Sequence, residues 1–237
     1  IHPYNMIKTN LLGDTIWTKH ISDLVNNYES YPYARLRRVL NIDGGFIISS
    51  AFPHLIIKTD LQGDTIWTKN INSTIGHAYG ETHYLLNNNE ITVLTQSGLI
   101  KINTDGETIW TNNFNLPNDS IYNFGLHSFT ESSDGGYVIT GESRNNSNFN
   151  LEHKNLLLIK TDNFGNVEWM QEHDNSSGSI WNDLTIADEG WSVNLSIDDG
   201  YIIGGDSQTS NNKTIWVIKT DSEGNINSTN IIEIPTI

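Results

Sequence analysis

Cysteine is absent from the 237 residues, which removes disulfides, thiolate zinc sites and cysteine nucleophiles. Arginine is confined to Arg35, Arg37, Arg38 and Arg144, so a triad of arginines converging on a carboxylate ligand is not available. Positive charge is scarce. Lysine and arginine number 13 against 28 aspartates and glutamates, a formal charge of −15. A chain this acidic is repelled by phosphate backbones, so nucleic acids and anionic membranes are poor partners. No apolar run reaches the ~18 residues that would suggest a membrane-spanning helix. Nor does any stretch place apolar residues at a 3.6-residue period, so helix is expected to be nearly absent. The chain begins at Ile1 rather than Met, which points to a removed signal peptide or to residues upstream.

What is present is repetition. Ile57-Lys58-Thr59-Asp60 leads to Gly63 and Trp67. The same pattern runs from Lys8 to Gly13 and Trp17, from Lys101 to Gly106 and Trp110, and from Lys160 to Gly165 and Trp169. A fifth copy runs from Lys219 to Gly224, with Ser228 in the tryptophan position. The lysines are separated by 50, 43, 59 and 59 residues, a spacing that points to propellers or solenoids. Between the hairpins, Asp43-Gly44-Gly45, Asp134-Gly135-Gly136 and Asp198-Asp199-Gly200 each precede a β-branched run, and Asn88-Asn89-Glu90 stands in the same place.

One unit therefore reads as four antiparallel strands, a to d, at about residues 34–41, 45–51, 54–60 and 64–70. The second strand is apolar at consecutive positions, as expected where a sheet is covered on both faces. The fold class expected is an all-β propeller of four-stranded blades, a single domain over 1–237 with five blades. Its repeat units fall at about 1–20, 33–70, 82–114, 124–173 and 191–237, the first having only its last two strands.

The repeated residues read as structural. Trp17, Trp67, Trp110 and Trp169 are expected to dock one blade on the next, where a large aromatic can bury ~150–250 Å². Gly63 and its equivalents supply a positive φ in the c–d turn. Asp60, Asp162 and Asp221 suit turns in which a carboxylate bonds its own backbone, and the turn has too few acidic groups for a calcium loop. The strand-c lysines are expected to be exposed charges near the rim that discourage pairing between sheets.

Blades that read DGGYVITGES … LLLIKTDNFGNVEW resemble repeats of secreted and cell-surface proteins of Bacteroidota and related bacteria. The c–d hairpin is also similar to the tryptophan-docking motif of quinoprotein dehydrogenases and of the outer-membrane assembly lipoprotein with the same fold. The resemblance implies a propeller that is secreted or on a bacterial surface, and it supports the docking role of the tryptophans. It does not extend to a cofactor site or a metal site, and neither is expected.

Function is expected in the unrepeated loops. The d–a connections are long and aromatic, with Tyr33, Tyr79, Tyr122, Trp181 and Trp191. Alignment of the b strands brings Ala51, Gln96, Glu142 and Asp206 to one position near the same rim. Aromatics and polar groups converging in this way suit a protein or glycan ligand. A sialidase reading fails on spacing: the Asp-box sets Gly two and Trp five residues after Asp, whereas here the intervals from Asp60 are three and seven. Glu81 and His127 stand close to equivalent positions on neighbouring a strands. The reading is a non-catalytic binding or scaffold module. The alternatives are a glycan-active hydrolase or lyase with a central-channel site, and a structural subunit of a larger surface assembly.

Overall fold

The computed structural model describes residues 5–20, 35–51, 54–71, 83–87, 89–114, 124–145, 153–173, 187–208, 213–226 and 232–235. Every regular element among them is a strand. The chain divides into two compact units, one of residues 1–82, 86–93 and 100–111, the other of 83–85, 94–99 and 112–237.

In the first unit, β1 (Asn5–Thr9) and β2 (Thr15–His20) form a hairpin. β3 (Arg35–Ile42), β4 (Gly45–Ala51), β5 (Leu55–Asp60) and β6 (Thr65–Asn70) form an antiparallel meander. The strands lie within one residue of the positions read from the sequence. A second meander, β7 (His83–Asn87), β8 (Glu90–Thr95), β9 (Gly98–Asn103) and β10 (Thr108–Asn113), has its residues divided between the units. The second unit holds β11 (Phe124–Glu131), β12 (Tyr137–Asn145), β13 (His153–Thr161) and β14 (Val167–His173). It also holds β15 (Ala187–Leu195), β16 (Tyr201–Gln208), β17 (Lys213–Lys219) and β18 (Ile232–Pro235). These two meanders are joined by one parallel pairing, Lys154 with Ala187.

The c–d turn is built as its sequence dictates. Asp60 accepts backbone hydrogen bonds from Gln62 at 2.9 Å and Asp64 at 2.8 Å, and Gly63 adopts φ +80°. Asp162 and Asp221 do the same in their turns. The b and c strands carry the core. Ile47, Ile48, Ile56 and Ile57 are all buried, so both faces of the sheet are covered there.

Each d strand also reaches the turn of the next repeat. The Trp17 indole N–H and the Lys8 ammonium both donate to the Leu61 carbonyl at 3.2 Å. Trp67 and Lys58 do the same to Thr104, at 3.2 and 2.8 Å. The Trp17 ring lies so close over Gly63 that a Cβ there would come within 2.9 Å of it, and Trp169 covers Gly224 more tightly still, at 2.7 Å. Trp110 holds the equivalent place on β10 and is half-buried.

The lysines depart from expectation. They are not loose rim charges: Lys160 is buried, with Asp134 at 2.7 Å and Glu168 at 2.9 Å, and Lys219 lies 2.7 Å from both oxygens of Asp198. In these two repeats the Asp of the turn between strands a and b therefore answers the Lys of strand c, whereas Lys58 turns to the Thr104 carbonyl at 2.8 Å and to Asp105 at 3.7 Å. A cation placed among apolar residues needs that answer, because unpaired burial of charge is costly.

Candidate functional site

The second unit contains a polar cluster that two β-bulges create. In β11, Leu126 pairs with Gly141 and Ser128 with Thr140, which leaves His127 as the extra residue. In β15, Gly190 pairs with Gly205 and Ser192 with Gly204, which leaves Trp191. A bulge re-aims the side chain of its extra residue and often borders a functional site. Here the two re-aimed rings stack on each other, with centroids 4.2 Å apart and planes inclined at 26°.

Each ring is tied to a carboxylate of its own sheet. His127 Nε2 bonds Glu142 on β12, and Trp191 Nε1 donates to Asp206 on β16 at 2.9 Å. Glu142 is buried beneath the pair. It fits because Gly125 lies opposite it: a Cβ there would stand 2.2 Å from the carboxylate. Lys154 on β13 lies 2.5 Å from Glu189 and 3.9 Å from Glu142, so one ammonium serves two carboxylates. His127, Glu142 and Glu189 offer three donor atoms within 4.8 Å of one another, a nitrogen-and-carboxylate set that transition metals can use. Lys154 is the cation that stands among them.

The residues named from the sequence separate cleanly. Glu142, Trp191 and Asp206 come together in this cluster. Gln96 borders it with both ends engaged: its amide accepts from the Leu126 N–H at 2.9 Å and donates to the Leu126 carbonyl at 3.0 Å, which anchors the strand just before the bulge. Tyr33, Tyr79, Tyr122 and Trp181, with Glu81, lie outside the described residues. His127, Lys154 and Glu189 were not assigned to the binding site. An aligned a strand marks His127 as equivalent to Trp191, and that equivalence is the signal that could have found it. Nothing local in the sequence marks Lys154 or Glu189, which meet only through the pairing of β13 with β15.

Neither a protein-family model nor a curated protein matches the sequence. Comparison with solved structures gives the Pan2 WD40 domain of Neurospora crassa, 14% identical, with a TM-score of 0.53 over 88% of this chain and 52% of that one. The fold is of the β-propeller type. The chain spans about half the length of the Pan2 domain it matches. Lesser likenesses include a protein of unknown function from Bacteroides caccae, 9% identical, with a TM-score of 0.38 over 84% of this chain and 72% of that one. A provisionally assigned exported protein of Bacteroides fragilis is 8% identical, with a TM-score of 0.37 over 88% and 78%.

Proposed function

We propose that this propeller-type chain is a non-catalytic recognition module, secreted or on a bacterial surface, whose site centres on Trp191. One observation carries the reading. Trp191 is 50% exposed, yet its ring is fixed on both sides, by the stack on His127 and by the hydrogen bond to Asp206. An indole held rigid in water loses little conformational freedom when a partner lands on it, and such aromatics anchor binding sites. The neighbouring carboxylates of Asp206 and Glu189 accept hydrogen bonds. The ligand is therefore one that combines a flat apolar face with donor groups: a glycan with its hydroxyls, or a peptide with basic or amide side chains. On this reading the 237 residues form one domain of five blades, the first incomplete, and Gln96 and Glu142 hold the platform rather than touch the ligand.

A glycan and peptide array probed with the purified chain tests this. Trp191→Ala should weaken a positive signal by about 30-fold, the loss typical of a binding hot spot of about 2 kcal/mol, while thermal stability stays near that of the parent. An array without binders, or a binder indifferent to Trp191→Ala, would end the proposal. The hydrolase reading has its own support, since Glu142 and Glu189 are a close carboxylate pair. Turnover of an oligosaccharide that is lost in Glu189→Gln would favour it over simple recognition.

A further inference from the structure

The polar cluster beside Trp191 lies inside one unit and is assembled from both of its meanders. His127 comes from β11, Glu142 from β12, Lys154 from β13 and Glu189 from β15. All four side chains are largely withdrawn from water: Glu142, Glu189, Lys154 and His127 are 3, 13, 17 and 20% exposed. Charge does not balance among them. Two carboxylates face one ammonium, and a neutral imidazole adds nothing. The four groups thus hold one surplus negative charge where water screens little, and buried charge is costly unless it is answered. Exchanging the ammonium for a divalent cation brings cation and carboxylates into balance.

We propose that His127, Glu142 and Glu189 form a binding site for a divalent transition metal, with zinc as its representative. The donors are the imidazole nitrogen of His127 and one carboxylate oxygen from each glutamate, all within 4.8 Å of one another. Ligands of a tetrahedral zinc stand roughly 3.4 Å apart, so the set has to close by about an ångström. Rotation within two glutamate side chains supplies that. The class of metal follows from the donors. Calcium and magnesium favour sites built of oxygens alone, whereas a nitrogen with two carboxylates suits zinc, nickel or copper.

Ligation uses the lone pair of His127 Nε2, so the imidazole proton stands on Nδ1 and Glu142 exchanges its bond with the ring for one with the metal. The stack on Trp191 is kept, because it uses the face of the imidazole and the metal uses its edge. Lys154 is the built-in competitor. Its ammonium lies 2.5 Å from Glu189 and 3.9 Å from Glu142, the two carboxylates that the metal needs. Metal entry sends it out to solvent on its long stem. The bound ion is also a clamp. Glu189 belongs to one meander, His127 and Glu142 to the other, and the described ladder between these meanders is the single pairing of Lys154 with Ala187.

Titration calorimetry of the metal-free chain with zinc chloride, and melting temperatures with and without zinc, test the proposal. The parent should bind zinc and melt about 5 °C higher at saturation, and magnesium or calcium at the same concentration should not produce that rise. His127→Gln leaves Glu142 a polar neighbour but removes the nitrogen ligand, and it should lose both the binding and the rise. Lys154→Met should bind zinc at least about tenfold more tightly, because the competing charge is gone. The remaining histidines are common to parent and variants, so zinc held elsewhere cancels in the comparison. A parent that zinc does not stabilise, an equal rise with calcium, a His127→Gln chain that responds like the parent, or a Lys154→Met chain that binds no more tightly would each overturn the proposal. If one variant does not fold, the other decides against the parent. Every readout is of metal without further ligand, so the result is independent of whether Trp191 anchors a partner.

Discussion

A lysine in an apolar strand has to be matched by a carboxylate, and the match is visible in how the aspartates titrate. Burial alone would raise the Asp134 carboxyl. The hydrogen bonds from Lys160, Ser132 and Gly136 outweigh it and hold the pKa down at about 2. Asp198 is held at about 2 as well, first by its hydrogen bond with Lys219. In the unfolded chain both would titrate near 4. These are depressed carboxylates, so their stabilisation is complete above pH about 4 and is lost as pH falls through about 2. Replacing both by Asn should lower the melting temperature by a constant amount from neutral pH down to about 4, and the gap to the parent should close towards pH 2. A gap that stays open at pH 2 would mean that the pairs contribute through packing rather than charge. At this scale the sequence was half legible. The Asp-Gly turn and the lysine were each plain, but their meeting is a cross-strand fact, and a lysine followed by threonine in a strand reads as an edge charge until its partner is known.

Hairpins and bulges are where repetition becomes both stability and site. The hairpins were legible because their constraint is local: a positive φ needs Gly, and an Asx turn needs Asp or Asn at a fixed offset. Two glycines separate the turn from the docking. Gly13 and Gly63 hold the same turn position at φ +86° and +80°, but only Gly63 lies under an indole. Gly13→Ala should cost only the left-handed backbone penalty, about 1–2 kcal/mol. Gly63→Ala should cost that and a further ~1–3 kcal/mol for crowding Trp17. Urea midpoints of the two variants measure the difference, and equal midpoints would mean that the indole yields freely. The bulges were not legible. His127 and Trp191 differ in type, and nothing in either sequence window declares an extra residue. Their equivalence can be read by aligning the a strands, but that each is the extra residue of a bulge appears only when Leu126 and Ser128, or Gly190 and Ser192, are seen to pair with adjacent partners. The cluster at Glu142 was thus readable as three of its members, Glu142, Trp191 and Asp206, while Lys154 and Glu189 depended on a single parallel pairing between meanders.

On the scale of the whole molecule, the dominant quantity is the charge of −15, which the sequence states outright. Like charges spread over one folded chain repel, and this self-repulsion opposes folding. Against it stand local ion pairs such as Lys19 with Asp64 and Lys101 with Glu90. Pairs of that kind on a surface are each worth no more than about 1 kcal/mol, and salt weakens them too. The two effects therefore predict opposite responses to ionic strength. Raising salt from about 0.01 M to about 0.15 M shortens the screening length from about 30 Å to about 8 Å. That removes most repulsion between distant carboxylates but leaves contacts at 2.5–2.7 Å, as in those two pairs, largely intact. Repulsion is the long-range term, so it is the one that salt cancels first. The melting temperature should rise over this interval and level off above it, and calorimetry in sodium chloride at neutral pH measures it. A melting temperature that falls with salt would mean that the ion pairs carry more of the stability than their exposure allows, and would move the weight of the fold from its apolar strands to its lysines.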